Sequence, residues 1–203
     1  MLIKICGLRD NFAEVVALKP DFAGLIFYQK SPRFVELSQE PVLKQKLTDV
    51  KKVGVFVNAN KDYILDKVSE YNLDLVQLHG NESPDFCADI RNCLPVIKAF
   101  GISSESDLQS AECYTQYVDY LLFDTKTKGY GGSGVKFDWK MLQNVNISQN
   151  FLLSGGISLD DLEDIKALKI NKLVGVDLNS RFEDAPGLKN IEKLKQAFNI
   201  LKR

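Results

Sequence analysis

Cys6, Asp124 and Arg33 are the side chains whose types and addresses in this sequence could do chemistry. Cys6 closes the apolar run Leu2-Ile3-Lys4-Ile5-Cys6 and is followed at once by Gly7. Side chains alternate along a strand, so Leu2, Lys4 and Cys6 share one face. A lysine on the same face as a cysteine favours the thiolate, the form able to take a proton or attack carbon. Free cysteine is also a small apolar core residue, and the strand alone does not choose between these uses. Asp124 ends another apolar run, in which Tyr120, Leu122 and Asp124 share a face. An aspartate after a strand serves equally as an inward-facing acid or as a turn residue. Arg33, in Ser31-Pro32-Arg33, offers a planar fork of donors that suits a carboxylate, or else is a solvated surface arginine.

Two glycine-rich turns suggest an anion site. Ser154-Gly155-Gly156-Ile157 and Gly175-Val176-Asp177-Leu178-Asn179-Ser180 each belong to the end of an apolar run. Glycines let backbone N–H groups approach an anion closely, and a helix starting just after adds positive potential. Gly155, Gly156, Asn179 and Ser180 are therefore candidate phosphate-binding residues. Asp177, being acidic, is expected to face substrate hydroxyls or serve the structure. The single histidine, His79 in Gln77-Leu78-His79-Gly80, rules out a multi-histidine metal cluster. Acid–base work is left mainly to Asp, Glu, Cys, Lys and Tyr. The cysteines (Cys6, Cys87, Cys93 and Cys113) show no Cys-x-x-Cys pair and no metal-ligand spacing. No metal site is expected. The basic, glycine-rich stretch 126–134 is either a loop that closes over an anionic ligand or merely a flexible one.

Positioning these groups requires a scaffold that brings many strand ends together. Short β-rich runs occur at Leu2–Cys6, Phe22–Tyr28, Lys52–Val57, Leu73–Leu78, Val96–Phe100, Val118–Asp124, Phe151–Ser154 and Leu173–Leu178. Segments with helical spacing lie between them. Ile64, Leu65 and Val68 share a face, as do Leu159, Leu162 and Ile165, with Ser158 as a candidate N-cap. Ser83-Pro84-Asp85 opens another helix, with proline at its first position. Alternation repeated about eight times implies parallel strands joined by crossover helices. The reading is α/β, a single (β/α)8 TIM barrel spanning residues 1–203, at the short end for that fold. No Gly-x-Gly-x-x-Gly follows the first strand, which counts against a doubly wound sheet. Between Phe100 and Tyr117 only Leu108 and Ala111 are clear apolar anchors, so a weak or shortened fifth helix is expected.

In such a barrel the chemistry lies at the carboxyl ends of the strands, where Cys6, His79, Asp124, Asp177 and both glycine turns fall. The chain has 203 residues and a formal net charge of −1, which makes no electrostatic case for nucleic acid or an anionic membrane. No apolar run approaches a membrane span, and the N-terminus meets charge too early for a signal peptide. A cytoplasmic protein with reduced thiols is expected.

Taken together, several motifs resemble the phosphoribosylanthranilate isomerase family. They are Lys4-Ile5-Cys6-Gly7, Ala23–Phe27 followed by Ser31-Pro32-Arg33, and Val53–Asn58. Val76–Gly80, Phe123-Asp124-Thr125 with Gly131–Gly134, Leu153–Ile157 and Gly175-Val176-Asp177 continue the series. The resemblance runs from Lys4 to about Lys189, in the family's order. It implies a cofactor-free Amadori rearrangement of N-(5-phosphoribosyl)anthranilate in tryptophan biosynthesis. It implies Asp124 as general acid, Cys6 as general base and Arg33 on the anthranilate carboxylate. His79 and Asp177 would bind substrate, and the turns at Gly155-Gly156 and Asn179-Ser180 the phosphate. The partner implied is a small-molecule substrate, with the protein a monomer or homodimer. Two departures stand out: Asn81 precedes Glu82 after the His-Gly pair, and Asn179-Ser180-Arg181 replaces the common Ser-Ser-Gly. Arg181 is thereby a candidate direct contact to phosphate. Other phosphosugar barrels compete: metal-dependent epimerases, which the lone histidine disfavours, and indole-glycerol-phosphate synthase. A phosphate-binding barrel that has lost catalysis is a further alternative, disfavoured by the presence of both Cys6 and Asp124.

Overall fold

A computed structural model describes the chain except for residues 39–40, 126–138, 144–146 and 203. Eight parallel strands close into a barrel in chain order. They are β1 (Leu2–Ile5), β2 (Phe22–Ile26), β3 (Lys51–Phe56), β4 (Leu75–Leu78), β5 (Val96–Ile102), β6 (Tyr120–Thr125), β7 (Phe151–Leu153) and β8 (Leu173–Leu178). The barrel closes where β1 pairs with β8, Lys4 being the register partner of Asp177. Among the described residues six α-helices surround it: α1 (Phe12–Ala17), α2 (Lys61–Tyr71), α3 (Pro84–Arg91), α4 (Glu105–Glu112), α5 (Leu162–Ala167) and α6 (Ile191–Leu201). No described helix is long and apolar enough to cross a membrane.

Strand parity divides the core in two. Ile3, Ile5, Val76, Leu121, Phe123 and Val176 point outward and pack with the buried helix residues Phe12, Val15, Ile64, Ile90, Leu108 and Leu194. Phe22, Val53, Leu75, Ile97, Leu122 and Leu152 point inward and form an apolar layer in the lower barrel. Burying each such side chain contributes about 1.5–3 kcal/mol relative to exposure. Two residues further along the same strands, the inward positions become Gln77, Asp124 and Ser154. The interior thus turns from oil to polar groups toward the carboxyl ends, because each strand extends its inward row beyond the apolar layer.

Caps set where the helices start. The Asn60 side chain accepts from Tyr63 N at 2.8 Å, and Ser83 Oγ accepts from Phe86 N at 3.2 Å. Ser158 and Asp161 form a capping box, entered through a 3-10 turn at Leu159–Asp161 before α5. At the opposite barrel rim, Asp21, Asp74 and Asp119 accept from the backbone N–H of Ile3, Lys52 and Val96, each at 2.8 Å. These carboxylates pin neighbouring strand starts in register.

The helix after β5 is short, two turns anchored by the fully buried Leu108 and Ala111. It is no shorter than α3, however. The ring is more reduced after β2, where 3-10 turns at Val35–Leu37 and Pro41–Lys44 are the described helical elements. Between β8 and α6 lies a small antiparallel hairpin, β9 (Glu183–Ala185) with β10 (Leu188–Lys189).

Candidate active site at the carboxyl ends of the strands

Cys6 follows β1 directly and stays in the ladder, its N–H donating to Leu178 O at 2.9 Å. It is 4% exposed. The facing residue on β2 is Gly24, where a Cβ would stand 3.0 Å from Cys6 Sγ and Cα. Glycine there is what lets the thiol point inward. Burial pushes the thiol above its ordinary range; the charges of Lys4 and Lys189 pull the other way, and that of Asp177 adds to the rise. Lys4 therefore favours the thiolate as its place on the strand suggests, but burial outweighs it and the resting group is the thiol.

Lys4 Nζ donates to Asp177 Oδ1 at 2.9 Å, with both side chains almost wholly buried. Asp124, on the inward row of β6, receives the Thr125 N–H on Oδ1 at 2.8 Å. Burial first, and the charge of Asp177 second, raise its pKa to about 6. Asp124 is thus a carboxyl poised to hold or release a proton near neutrality.

His79 Nε2 stands 3.6 Å from Asp124 Oδ2. The Gln77 amide nitrogen lies 3.0 Å from His79 Nδ1. Burial, with the charges of Lys98 and Lys4, lowers the imidazole to about 4, so the ring is neutral. With Gln77 donating to Nδ1, the ring hydrogen sits on Nε2 and faces Asp124.

These groups converge on one cavity lined by Cys6, Gln77, His79, Asp124, Ser154, Asp177 and Asn179 together with Tyr28 and Ser31. Directly beside it a second cavity is lined by Asp124, Ser154, Gly155, Gly156, Ile157, Asp177, Asn179 and Ser180. Gly155 and Gly156 both have positive φ, +94° and +68°, a conformation open to glycine at little cost. The two glycine turns of the sequence thus face a common hollow that shares Asp124, Ser154, Asp177 and Asn179 with the larger one.

Arg33 is placed differently from Cys6, Asp124, His79 and Asp177. It is not among the side chains lining these two cavities, and its guanidinium is held by Glu183: Nε at 2.9 Å from both carboxylate oxygens and Nη2 at 2.6 Å from Oε2. Arg181 is exposed and likewise outside both linings. The basic stretch 126–134 lies outside the described residues.

Gln77, Ser154, Glu183 and Lys189 join this region without having been singled out. For Gln77 and Ser154 the signal was present, since both continue inward rows of their strands. For Glu183 and Lys189 no periodicity marks them, because a two-residue β10 is too short to show one.

The model of N-(5'-phosphoribosyl)anthranilate (PRA) isomerase matches residues 3–200. N-(5'-phosphoribosyl)anthranilate isomerase of Parabacteroides distasonis is 46% identical over 200 residues, covering 96% of this chain and 90% of that protein. Phosphoribosyl anthranilate isomerase from Thermotoga maritima superposes with a TM-score of 0.87 at 35% identity, covering 100% of this chain and 99% of that one. A similar structure, in complex with reduced 1-(o-carboxyphenylamino)-1-deoxyribulose 5-phosphate, gives 0.83 at 32% identity, covering 100% and 98%.

Proposed function

The chain belongs to the N-(5'-phosphoribosyl)anthranilate isomerase family, an enzyme family of tryptophan biosynthesis, and from that premise we propose that it converts N-(5-phosphoribosyl)anthranilate to 1-(2-carboxyphenylamino)-1-deoxyribulose 5-phosphate by general acid–base catalysis. Residues 1–203 act as one catalytic domain, with Cys6 kept as a free thiol in the cytoplasm. The observation that carries this reading is the shared cavity: Asp124 and Cys6, from β6 and β1, line one hollow that continues into the Gly155-Gly156 and Asn179-Ser180 turns.

In the proposed sequence Asp124 gives its proton to the ribose ring oxygen. The C1–O bond breaks while the anilino nitrogen lone pair forms C=N, leaving a protonated Schiff base. Cys6, having first released its thiol proton to solvent to give the minor thiolate that the Lys4 and Lys189 charges favour, then takes the C2 proton; the C–H electrons form C1=C2 and neutralise the iminium nitrogen. The enolamine tautomerises, C1 gaining a proton and C2 becoming the ketone. A pKa of about 6 leaves about one Asp124 in ten protonated at pH 7. Removing water on substrate binding favours that neutral acid further. The neutral His79, with Nε2–H toward Asp124, steadies the carboxylate after its proton has gone.

The substrate spans the site between two anchors, and that orientation supplies much of the rate. The glycine turns offer N–H groups to the phosphate; Arg33 takes the carboxylate; Asp177, held by Lys4, meets the sugar hydroxyls. The reading is tested by assaying Cys6→Ala and Asp124→Asn with freshly made substrate. Each should lower kcat by about 10²–10⁴-fold, the range for a positioned acid or base. Wild-type kcat in either variant would refute the acid–base pair, and complementation of a tryptophan auxotroph lacking the isomerase gives an independent readout.

A further inference from the structure

After β8 the chain does not pass straight into α6. It makes a 3-10 turn at Ser180–Phe182 and then the β9–β10 hairpin. The hairpin turns at Gly187, with φ +92°, against the Arg9 side chain. Its two inward side chains, Glu183 and Lys189, are 4% and 0% exposed. Glu183 takes the Nε–Nη2 edge of Arg33 with both of its oxygens. Lys189 Nζ donates to Glu183 Oε1 at 2.7 Å and to Asn179 Oδ1 at 2.8 Å.

The series Arg33–Glu183–Lys189–Asn179 therefore runs without a break from the rim arginine to the glycine-turn side of the site. Resting on the isomerase reading, we propose that Glu183 and Lys189 are positioning residues that hold the carboxylate anchor Arg33 and the phosphate-side residue Asn179 in a fixed relation before substrate arrives. Three observations support this. The fork pairing fixes the guanidinium plane as well as its place, and it leaves the Nη1 side of Arg33 for a second carboxylate. Two cations, Arg33 and Lys189, share one carboxylate, so the cluster carries one positive charge in excess and favours an incoming anion. Arg33 and Asn179 also meet over Gly7: a Cβ there would stand 2.5 Å from Arg33 Cδ and 2.7 Å from Asn179 Oδ1. Both anchors thus bear on the residue next to Cys6. The buried pair itself is a weak source of stability; pre-setting two anchors of the site is a use that justifies the burial.

The experiment compares wild type, Glu183→Gln and Glu183→Asp on the carboxylated substrate and on its aniline counterpart, which lacks the carboxylate. Glu183→Gln should raise KM for the carboxylated substrate by roughly tenfold or more, with a smaller fall in kcat, since the charge-assisted fork is lost. It should cost little on the aniline counterpart, and Glu183→Asp should recover part of the KM. Lys189→Met should raise the inhibition constant of inorganic phosphate, because Asn179 loses its tether. Equal penalties on both substrates, or a phosphate constant unmoved in Lys189→Met, would overturn the positioning role while wild-type turnover left the isomerase reading standing. Absence of wild-type turnover would overturn both.

Discussion

Lys4 and Asp177 are register partners across the β1–β8 seam, and their side chains form an ion pair at 2.9 Å with almost no contact with solvent. Burial opposes the Lys4 charge, but Asp177 and the Cys6 thiol outweigh it and hold the ammonium above its ordinary range. One cation thus serves two clients: it opposes the burial that raises the Asp177 carboxyl above its ordinary range, and it is the nearest positive charge on the face that carries Cys6.

Lys4→Met should separate these roles. Breaking a buried pair from one side costs about 3–5 kcal/mol. The double variant Lys4→Met/Asp177→Asn should regain most of that stability. In neither variant should Cys6 ionise as readily as in wild type. Alkylation rate against pH measures this, in a background where the exposed Cys93 and Cys113 are serine. An unchanged alkylation profile would show that Lys4 has no hold on the thiol.

Asp124 makes a stability prediction whose sign follows from its pKa. The carboxyl titrates at about 6 in the fold, against an ordinary 3.8. Between those values the native state keeps a proton that the unfolded chain has released, so stability falls as pH rises through that window. The loss is about 3 kcal/mol at most by pH 7. Asp124→Asn should therefore be more stable than wild type at pH 7 and lose that advantage near pH 4. Urea midpoints at the two pH values test it, and equal midpoints at pH 7 would contradict the raised pKa.

Gly155 adjoins the proposed acid. With φ +94°, alanine there is strained, and its Cβ would stand 2.6 Å from Thr125 N and 2.9 Å from Asp124 Oδ1. The Thr125 N–H to Asp124 hydrogen bond, 2.8 Å long, would have to open. Gly155→Ala should cost about 1–3 kcal/mol of stability for the strained backbone. It should also lower kcat and weaken inhibition by inorganic phosphate together, because one atom intrudes on both groups. Unaltered phosphate inhibition would argue that this turn is not part of the phosphate site.

Much of the scaffold was legible because its strands are covered on both faces and read as apolar runs between polar turns. All eight strands lie where those runs lie, and the inward rows that carry Cys6 and Asp124 follow from parity alone. Four buried lysines were legible only in part: parity placed Lys4 on the face of Cys6, but nothing marked its partner or the burial of the other three. Lys4, Lys52, Lys98 and Lys189 are all buried, although lysine is among the residues least often found inside. Each finds partners outside its own strand: Lys52 donates to the carbonyls of Leu43, Gln45 and Tyr71, as Lys189 does to Asn179 and Glu183. Carbonyls and turn residues carry no sequence mark of such a role, and Lys4 meets Asp177 only when the barrel closes. Arg33 was legible as a residue but not as a relationship, since its partner Glu183 lies 150 positions away.

Glu82 gives the last test. It sits beyond the His79-Gly80 turn, where Asn81 intervenes, and its side chain is 3% exposed. Its carboxylate accepts from Asn58 N at 2.8 Å and Gly80 N at 2.9 Å, and pairs with Lys98 at 3.1 Å. Lys98 in turn donates to Gly80 O at 2.8 Å and Ala99 O at 3.0 Å. The turn that carries His79 is therefore gripped from both its donor and its acceptor sides. Glu82→Ala and Lys98→Met should each lose about 3–5 kcal/mol, because each strands a buried charge. Together they should lose less than the sum, with a coupling of about 0.5–3 kcal/mol as for residues in one network. Glu82→Gln should fold but lower kcat, since its amide N–H₂, standing where Oε2 was, faces the Lys98 ammonium and gives up one of the two contacts to Gly80 N, loosening the approach of the neutral His79 ring to Asp124. Strict additivity in the unfolding cycle would mean that the two side chains act on the turn independently.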